Sequence, residues 1–333
     1  MSALILGDMS QYLFLRRQTA SMRDEVNVLT NALATGIATD PARHLGGQTA
    51  PLAAIETGIA RLTAFDHTTT RASSRADAMQ AVLGRLDSAA RTAGVDLLQA
   101  AGTGNTALDT AAASGRAAFE DAVNALNSRI GDRSLFSGTA TDRNALLDPD
   151  AFLAAAKAAA APATAPADVA AALNAWFADP AGFAATVYQG SAQTAAFAVA
   201  EDITVTLSIT AADPDLRDTL KGLLLAALVS DTAYAGDRTA QAALARLAGA
   251  ALTAAGDGRI AAAARLGLVQ ERITAADTRN RAEATALGIA RSDLIAIDGY
   301  ETASRLAEAE TRLQTIYQLT ARLSELSLAN YLR

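Results

Sequence analysis

The stretch IDGYETASRLAEAETRLQTIYQLTARLSELSLANYLR, residues 297–333, decides the fold. Its bulky apolar residues Leu306, Leu313, Ile316 and Leu323 recur at steps of seven, three and seven, the period of a helix that meets another helix along a seam. The apolar pattern continues through Leu326, Leu328 and Tyr331. Chain ends fray unless something docks them, so a stripe reaching this far predicts a partner surface.

Working outward, the other end of the chain carries a matching stripe. Leu15, Met22, Val26, Leu29 and Leu33 are separated by seven, four, three and four residues, with polar residues between them. Thr35-Gly36 is a glycine stop. Neither helix has enough bulky side chains to hold its structure alone, so the two stripes are expected to bury against each other or against neighbouring subunits.

Between the ends, proline placement sets the organisation. All seven prolines lie between Pro41 and Pro214, leaving 52–148 and 215–333 free for uninterrupted helix. A loop, TDPARHLGGQTAP, follows the first helix. A second helix runs from about Leu52 through Ile55, Ile59 and Leu62, then Met79, Leu83, Leu86 and Ala90 to Leu97, and breaks at Gly102 and Gly104. Phe119, Val123, Leu126 and Ile130 mark a third helix ending near Gly131. From Asp148 the texture changes: five of the seven prolines, an alanine-proline stretch and Trp176 gather there. Within it ATVYQG, AFAVAE and ITVTLSI predict a small sheet between about 184 and 210. Helix resumes near Leu216 and, beyond Gly256 and Gly258, runs nearly to the end.

The expected fold is mainly α: a long antiparallel helical bundle built from both chain ends, with a small inserted α+β or β outer domain. Residues 1–40 and 300–333 are the terminal helices, 41–148 and 222–299 the bundle domain, and 149–221 the insert. Alanine occupies 85 of 333 positions. That favours long helices with close, shallow seams over one thick core.

Composition excludes much chemistry. Without cysteine there is no disulfide, thiolate metal site or cysteine nucleophile. His44 and His67 stand apart, in no metal-ligand spacing, and read as a loop and a helix position. Lys157 and Lys221 are the only lysines and no P-loop or G-x-S-x-G elbow occurs. Gly102-Thr103-Gly104 reads as a turn, and Asp148-Pro149-Asp150 and Asp213-Pro214-Asp215 as turn starters. We expect no catalytic residue, cofactor or metal. The net charge of −7 argues against nucleic acid. The longest bulky apolar run, about Leu223 to Val229, is too short for membrane insertion. The start of the chain, MSALILGDMSQYLFLRR, does not read as a secretory signal.

The order of several motifs resembles the flagellin family, and within it the hook-associated proteins that join hook to filament. The quoted C-terminal stretch, with Leu306, Leu313, Tyr317 and its LSLANYL ending, carries most of the likeness. NSRIGDRSLFSGTATD, 127–142, is similar to the junction-protein signature through Gly131, Leu135, Phe136, Ser137, Gly138 and Thr139. VYQG at 187–190 and DLRDTLKGLL at 215–224 resemble the outer domain and the return to the helical core. LTNALATGIATD matches loosely, and the following ARHLGG departs from the paired aspartates common in flagellins.

The resemblance implies a structural, non-enzymatic, axial protein exported unfolded through the flagellar type III channel. It implies terminal segments that pair as coaxial helices on assembly, and an outer domain facing solvent. Its implied partners are a hook-side junction protein, flagellin, further copies of itself, and an export chaperone at the C-terminal helix; its implied place is the extracellular hook-filament junction. A filament flagellin is the alternative within the family. A coiled-coil secreted effector or adhesin is the alternative outside it.

Overall fold

The computed structural model describes residues 2–103, 105–161, 163–230 and 236–331, with side chains described from residue 13 to residue 323 apart from Asn105. The chain is mainly α. In order, its elements are α1 (Ser2–Thr35), α2 (Pro41–His44), α3 (Ala50–Thr103), α4 (Asn105–Leu126), β1 (Arg129–Ile130), β2 (Arg133–Ser134), α5 (Pro149–Ala160), α6 (Pro166–Ala178) and α7 (Phe183–Thr186). There follow β3 (Ala196–Ala198), β4 (Thr204–Thr206), α8 (Pro214–Leu228), α9 (Arg238–Ala254), α10 (Gly256–Ile295) and α11 (Gly299–Tyr331). Contacts divide the chain into two compact units, 63–281 and 1–62 with 282–333.

In the 63–281 unit, the long helices pair through heptads. On α3 the buried residues Ala72, Ala76, Met79, Leu83, Leu86, Ala90, Ala93 and Leu97 alternate steps of four and three. On α10, Arg259, Ala262, Leu266, Ile273, Ala276 and Asn280 keep the same frame. Polar rungs flank this seam: Arg259 Nε to Asp87 at 2.9 Å, Gln270 Nε2 to Asp77 at 2.7 Å, and Arg281 against Asp66 at 3.6 Å. One index falls as the other rises, so the helices are antiparallel. Alanine at so many seam positions lets backbones approach closely. Gly249 of α9 takes this furthest, since a Cβ there would stand 2.8 Å from the Gly94 carbonyl oxygen of α3.

Arg259 is 5% exposed and also donates to the Leu252 carbonyl at 3.0 Å. Burial alone would raise the Asp87 carboxyl, but hydrogen bonds from Arg259 and Arg91 outweigh it and hold Asp87 below its ordinary value. A lowered folded pKa means that this contribution is full above the unfolded carboxylate value, about 4, and is lost as pH falls through the folded one. Arg259→Ala should therefore cost about 2 kcal/mol at neutral pH, less than a fully buried pair because Asp87 keeps some solvent and Arg91. Urea midpoints at neutral and acid pH check it: the deficit should shrink at the acid end.

Helix α8 fills the middle of this unit. Leu216, Leu220 and an unbroken run from Gly222 to Val229 are buried on every side, as a helix apolar all round must be. It packs on α4 and α9. Its start is fixed by Asp213, whose side chain accepts from the Asp215 N–H, and Arg265 reaches Asp213 at 2.8 Å and Asp215 at 2.7 Å.

The proline-bearing stretch does not stand apart from this core. Phe119 of α4 meets Phe152 of α5 edge-on at 5.3 Å, and Phe152 gathers Trp176, Phe177 and Phe183 of α6 and α7 around it. Strand formation is narrower than the sequence pattern predicts. AFAVAE and ITVTLSI supply β3 and β4, an antiparallel pair with Phe197 opposite Val205. ATVYQG instead holds the end of α7 and a single bridge from Tyr188 to Leu146. There the aromatic cluster draws Phe183 inward and two helix-forming alanines follow it.

Ile130 is likewise corrected. Helix α4 stops at Leu126, because the Asn127 amide turns aside to donate to the Leu146 carbonyl and to accept from the Leu146 N–H. Ile130 then lies exposed in β1, beside the turn that Gly131 makes at φ +55°. His44 closes the short α2 and is not a loop residue. Gly104 lies outside the described residues.

Candidate assembly surface

In the unit of 1–62 and 282–333, α1 and α11 lie along each other. At one end Ile37 bridges Ala296, with Ala38 N–H donating to the Ile295 carbonyl at 2.8 Å and Ile297 N–H to the Gly36 carbonyl at 3.1 Å. Farther along, Arg23 Nε donates to the Tyr317 hydroxyl at 2.6 Å, its guanidinium carbon 5.5 Å from the ring centre. The C-terminal end of α1 thus meets the N-terminal end of α11, so the pair is antiparallel. In the same unit the start of α3 runs beside the end of α10, with Arg291 facing Glu56 at 3.4 Å.

Both stripes turn toward this pair but are incompletely covered. Leu15, Met22, Val26 and Leu29 on α1 and Leu306, Leu313 and Leu323 on α11 are half-buried. Ile316 is 9% exposed, whereas Leu33 is 40% exposed. The side chains of Leu326, Leu328 and Tyr331 lie outside the described residues, as does Leu332.

The best-covered contacts are small ones that the stripes do not include: Ala32, Thr302 and Ala309. Alanine is too common in this chain to stand out in a search for bulky periodic residues. Several large apolar side chains outside the stripes face solvent, Phe14 at 64% exposure with Leu13, Val28, Tyr317 and Leu319. The helix pair thus leaves several large apolar side chains uncovered.

The LFSGT motif has a separate, internal role. Leu135, Phe136 and Ser137 are buried, and backbone bonds tie the motif to two other segments. Ala211 N–H donates to the Phe136 carbonyl at 2.9 Å, Ser191 N–H to the Ser137 carbonyl at 2.9 Å, and Thr139 N–H to the Gln193 carbonyl at 2.8 Å. Arg75 of α3 donates to the carbonyls of Ser134 and Leu135, both at 2.9 Å. Burial, and after it the nearby Arg133, pulls the Arg75 pKa down. Gly138 sits at φ +66°, where an added Cβ would come within 3.0 Å of the Ser191 and Gln193 carbonyl oxygens. Only glycine fits.

Among the described residues no cluster of acidic or histidine side chains is disposed to hold a metal, and no helix is long and apolar enough to cross a membrane. What the geometry can do is mechanical: two paired terminal helices offer apolar side chains to other helices.

Comparison with known proteins bears on both parts. No curated protein matches the chain. Among solved structures it is similar to a protein of Vibrio parahaemolyticus assigned as flagellar hook-associated. The two share 12% identity and a TM-score of 0.50 over 73% of this chain and 95% of the other. At that identity the likeness concerns the fold. The sequence of residues 250–332, which includes α10 and α11, matches the bacterial flagellin C-terminal helical region. Over that quarter of the chain, its C-terminal helices are similar to those of bacterial flagellins.

Proposed function

We propose that this chain joins hook to filament in the bacterial flagellum, packing α1 and α11 coaxially with the terminal helices of neighbouring axial subunits. The match of residues 250–332 to the flagellin C-terminal helical region supports a structural, extracellular and self-assembling flagellar component. The finer reading rests on one observation, the α1–α11 pair whose stripes are half covered and which leaves Phe14 and Leu319 exposed to solvent. Its partners in this reading are a hook-side junction protein, flagellin and further copies of itself. In this reading residues 149–221, although their aromatic cluster packs on Phe119 of α4, lie on the solvent side of the assembly. Before export the apolar face of α11 is the site for a chaperone, because exposed apolar surface of this extent otherwise aggregates.

Filament flagellin is the second reading, favoured by the description of the matched C-terminal region itself. A deletion strain separates the two. The junction role predicts intact hooks, no attached filament and flagellin shed into the medium; restored cells should carry gold label against this chain only at the filament base. Label along the whole filament would establish the filament role instead.

A further inference from the structure

The seam between α1 and α11 does not by itself fix one alignment. On α1, Leu15 and Met22, Met22 and Leu29, and Val26 and Leu33 are each seven apart; on α11, so are Leu306 and Leu313, and Ile316 and Leu323. Sliding one helix by seven residues therefore sets an apolar side chain where another had been. The polar contact rejects a slip in one direction only. Slipped so that Thr30 faces Tyr317, the pair loses it; slipped the other way, Arg16 takes the place of Arg23 opposite Tyr317 while Glu310 comes opposite Arg23.

What does not repeat is the pair of helix breaks at the base. Helix α1 ends at Thr35 and α10 at Ile295, and the chain leaves α1 through Gly36 at φ +73°. The two breaks meet side by side, Ile37 against Ala296, and the bonds from Ala38 N–H and Ile297 N–H form at one alignment only. Ile295 is 1% exposed beneath them. Immediately afterwards Asp298 caps α11, accepting from the Glu301 N–H at 2.9 Å, so the helix begins at a fixed distance from the bridge.

We propose that this main-chain clamp, residues 36–38 against 295–297, sets the register in which α1 pairs with α11, and through it the face the pair offers to other subunits. The second half rests on the assembly reading above; the first does not.

Proline tests it with little collateral change. Ala38→Pro and Ile297→Pro each delete one of the two donors, and the residues before them, Ile37 and Ala296, are already in the bridge and extended as proline requires. Because the chain has no cysteine, spin labels on Gln18→Cys and Arg322→Cys, both exposed, report the alignment of the full-length protein by pulsed electron paramagnetic resonance. The labelled parent should give one dominant distance, and Arg23→Ala should leave it in place. The double-proline variant should add a second population, from helices displaced by about 10 Å along their axes for a seven-residue slip, with the helical circular dichroism retained. Should it lose helix content, two glycines inserted after Ala296 uncouple the clamp without removing a donor and should split the distance in the same way. A single unshifted distance in the folded variant, or no dominant distance in the parent, overturns the clamp. Filament attachment is scored separately on the same variants: split distances with normal attachment overturn the link to assembly and leave the register claim standing.

Discussion

Cells whose chain carries Leu313→Asp, Ile316→Asp and Leu323→Asp together should make hooks that hold no filament, while the 63–281 unit of the secreted protein stays folded. Ile316 is the best covered of the three, and its loss alone removes about 2–5 kcal/mol of packing. Three carboxylates then enter a seam whose described lining is apolar, each costing several kcal/mol where it is left unpaired. Leu313 and Leu323 are half-buried and contribute less than Ile316, but all three lie on one stripe, and no single helix contact recovers the sum. The sole tryptophan, Trp176, belongs to the aromatic cluster of the other unit and serves as the internal control. Its fluorescence should match that of the parent. Normal swimming by the triple variant would remove α11 from the assembly mechanism.

Gly138→Ala should be among the most damaging single-methyl changes in the 63–281 unit. A left-handed backbone at a residue with a Cβ costs roughly 1–2 kcal/mol before any contact is considered. Here the methyl also meets two carbonyl oxygens that the turn cannot move without breaking the Thr139-to-Gln193 and Ser191-to-Ser137 bonds. A total loss of about 3 kcal/mol follows from these two named mechanisms. For a unit of this size that lowers the melting temperature by about 10 °C. Gly131→Ala is the matched comparison, since Gly131 also has a positive φ but nothing lies within 4 Å of its added Cβ. It should lose only about 1 kcal/mol. Equal losses at the two glycines would mean that the Gly138 turn opens more freely than its bonds imply.

The parts of this fold that were legible in advance share a physical cause. Over eighteen residues, a periodic stripe such as Leu306 to Leu323 accumulates enough regularity to outweigh local noise, and Gly36 ends α1 through its own backbone freedom. Ile130 continued a helical spacing faithfully and still left the helix, because a tertiary bond from Asn127 outcompeted the next turn. At 183–190, β-favouring residues lost to the pull of an aromatic cluster whose members are distant in sequence. The closest seams were hidden for a different reason: Ala32, Ala309 and the Gly94–Gly249 approach are made by residues that signal nothing except smallness. As for the proposed surface, the periodic spacing marks the residues that turn toward the helix pair but not exposed ones such as Phe14, since exposure of an apolar residue is a property of packing and leaves no periodic trace.

The all-round burial of α8 has a consequence for the order in which this protein folds. Its neighbour α9 is close in sequence, so a local helical hairpin forms at small loop-closure cost, but α4 lies on the far side of the whole aromatic insert. Docking on α4 must wait until that insert has collapsed, and until then the LLLAALV run stands in water with one face uncovered. Substitutions of Leu220 or Leu224 should therefore slow the acquisition of structure as well as weaken the finished product.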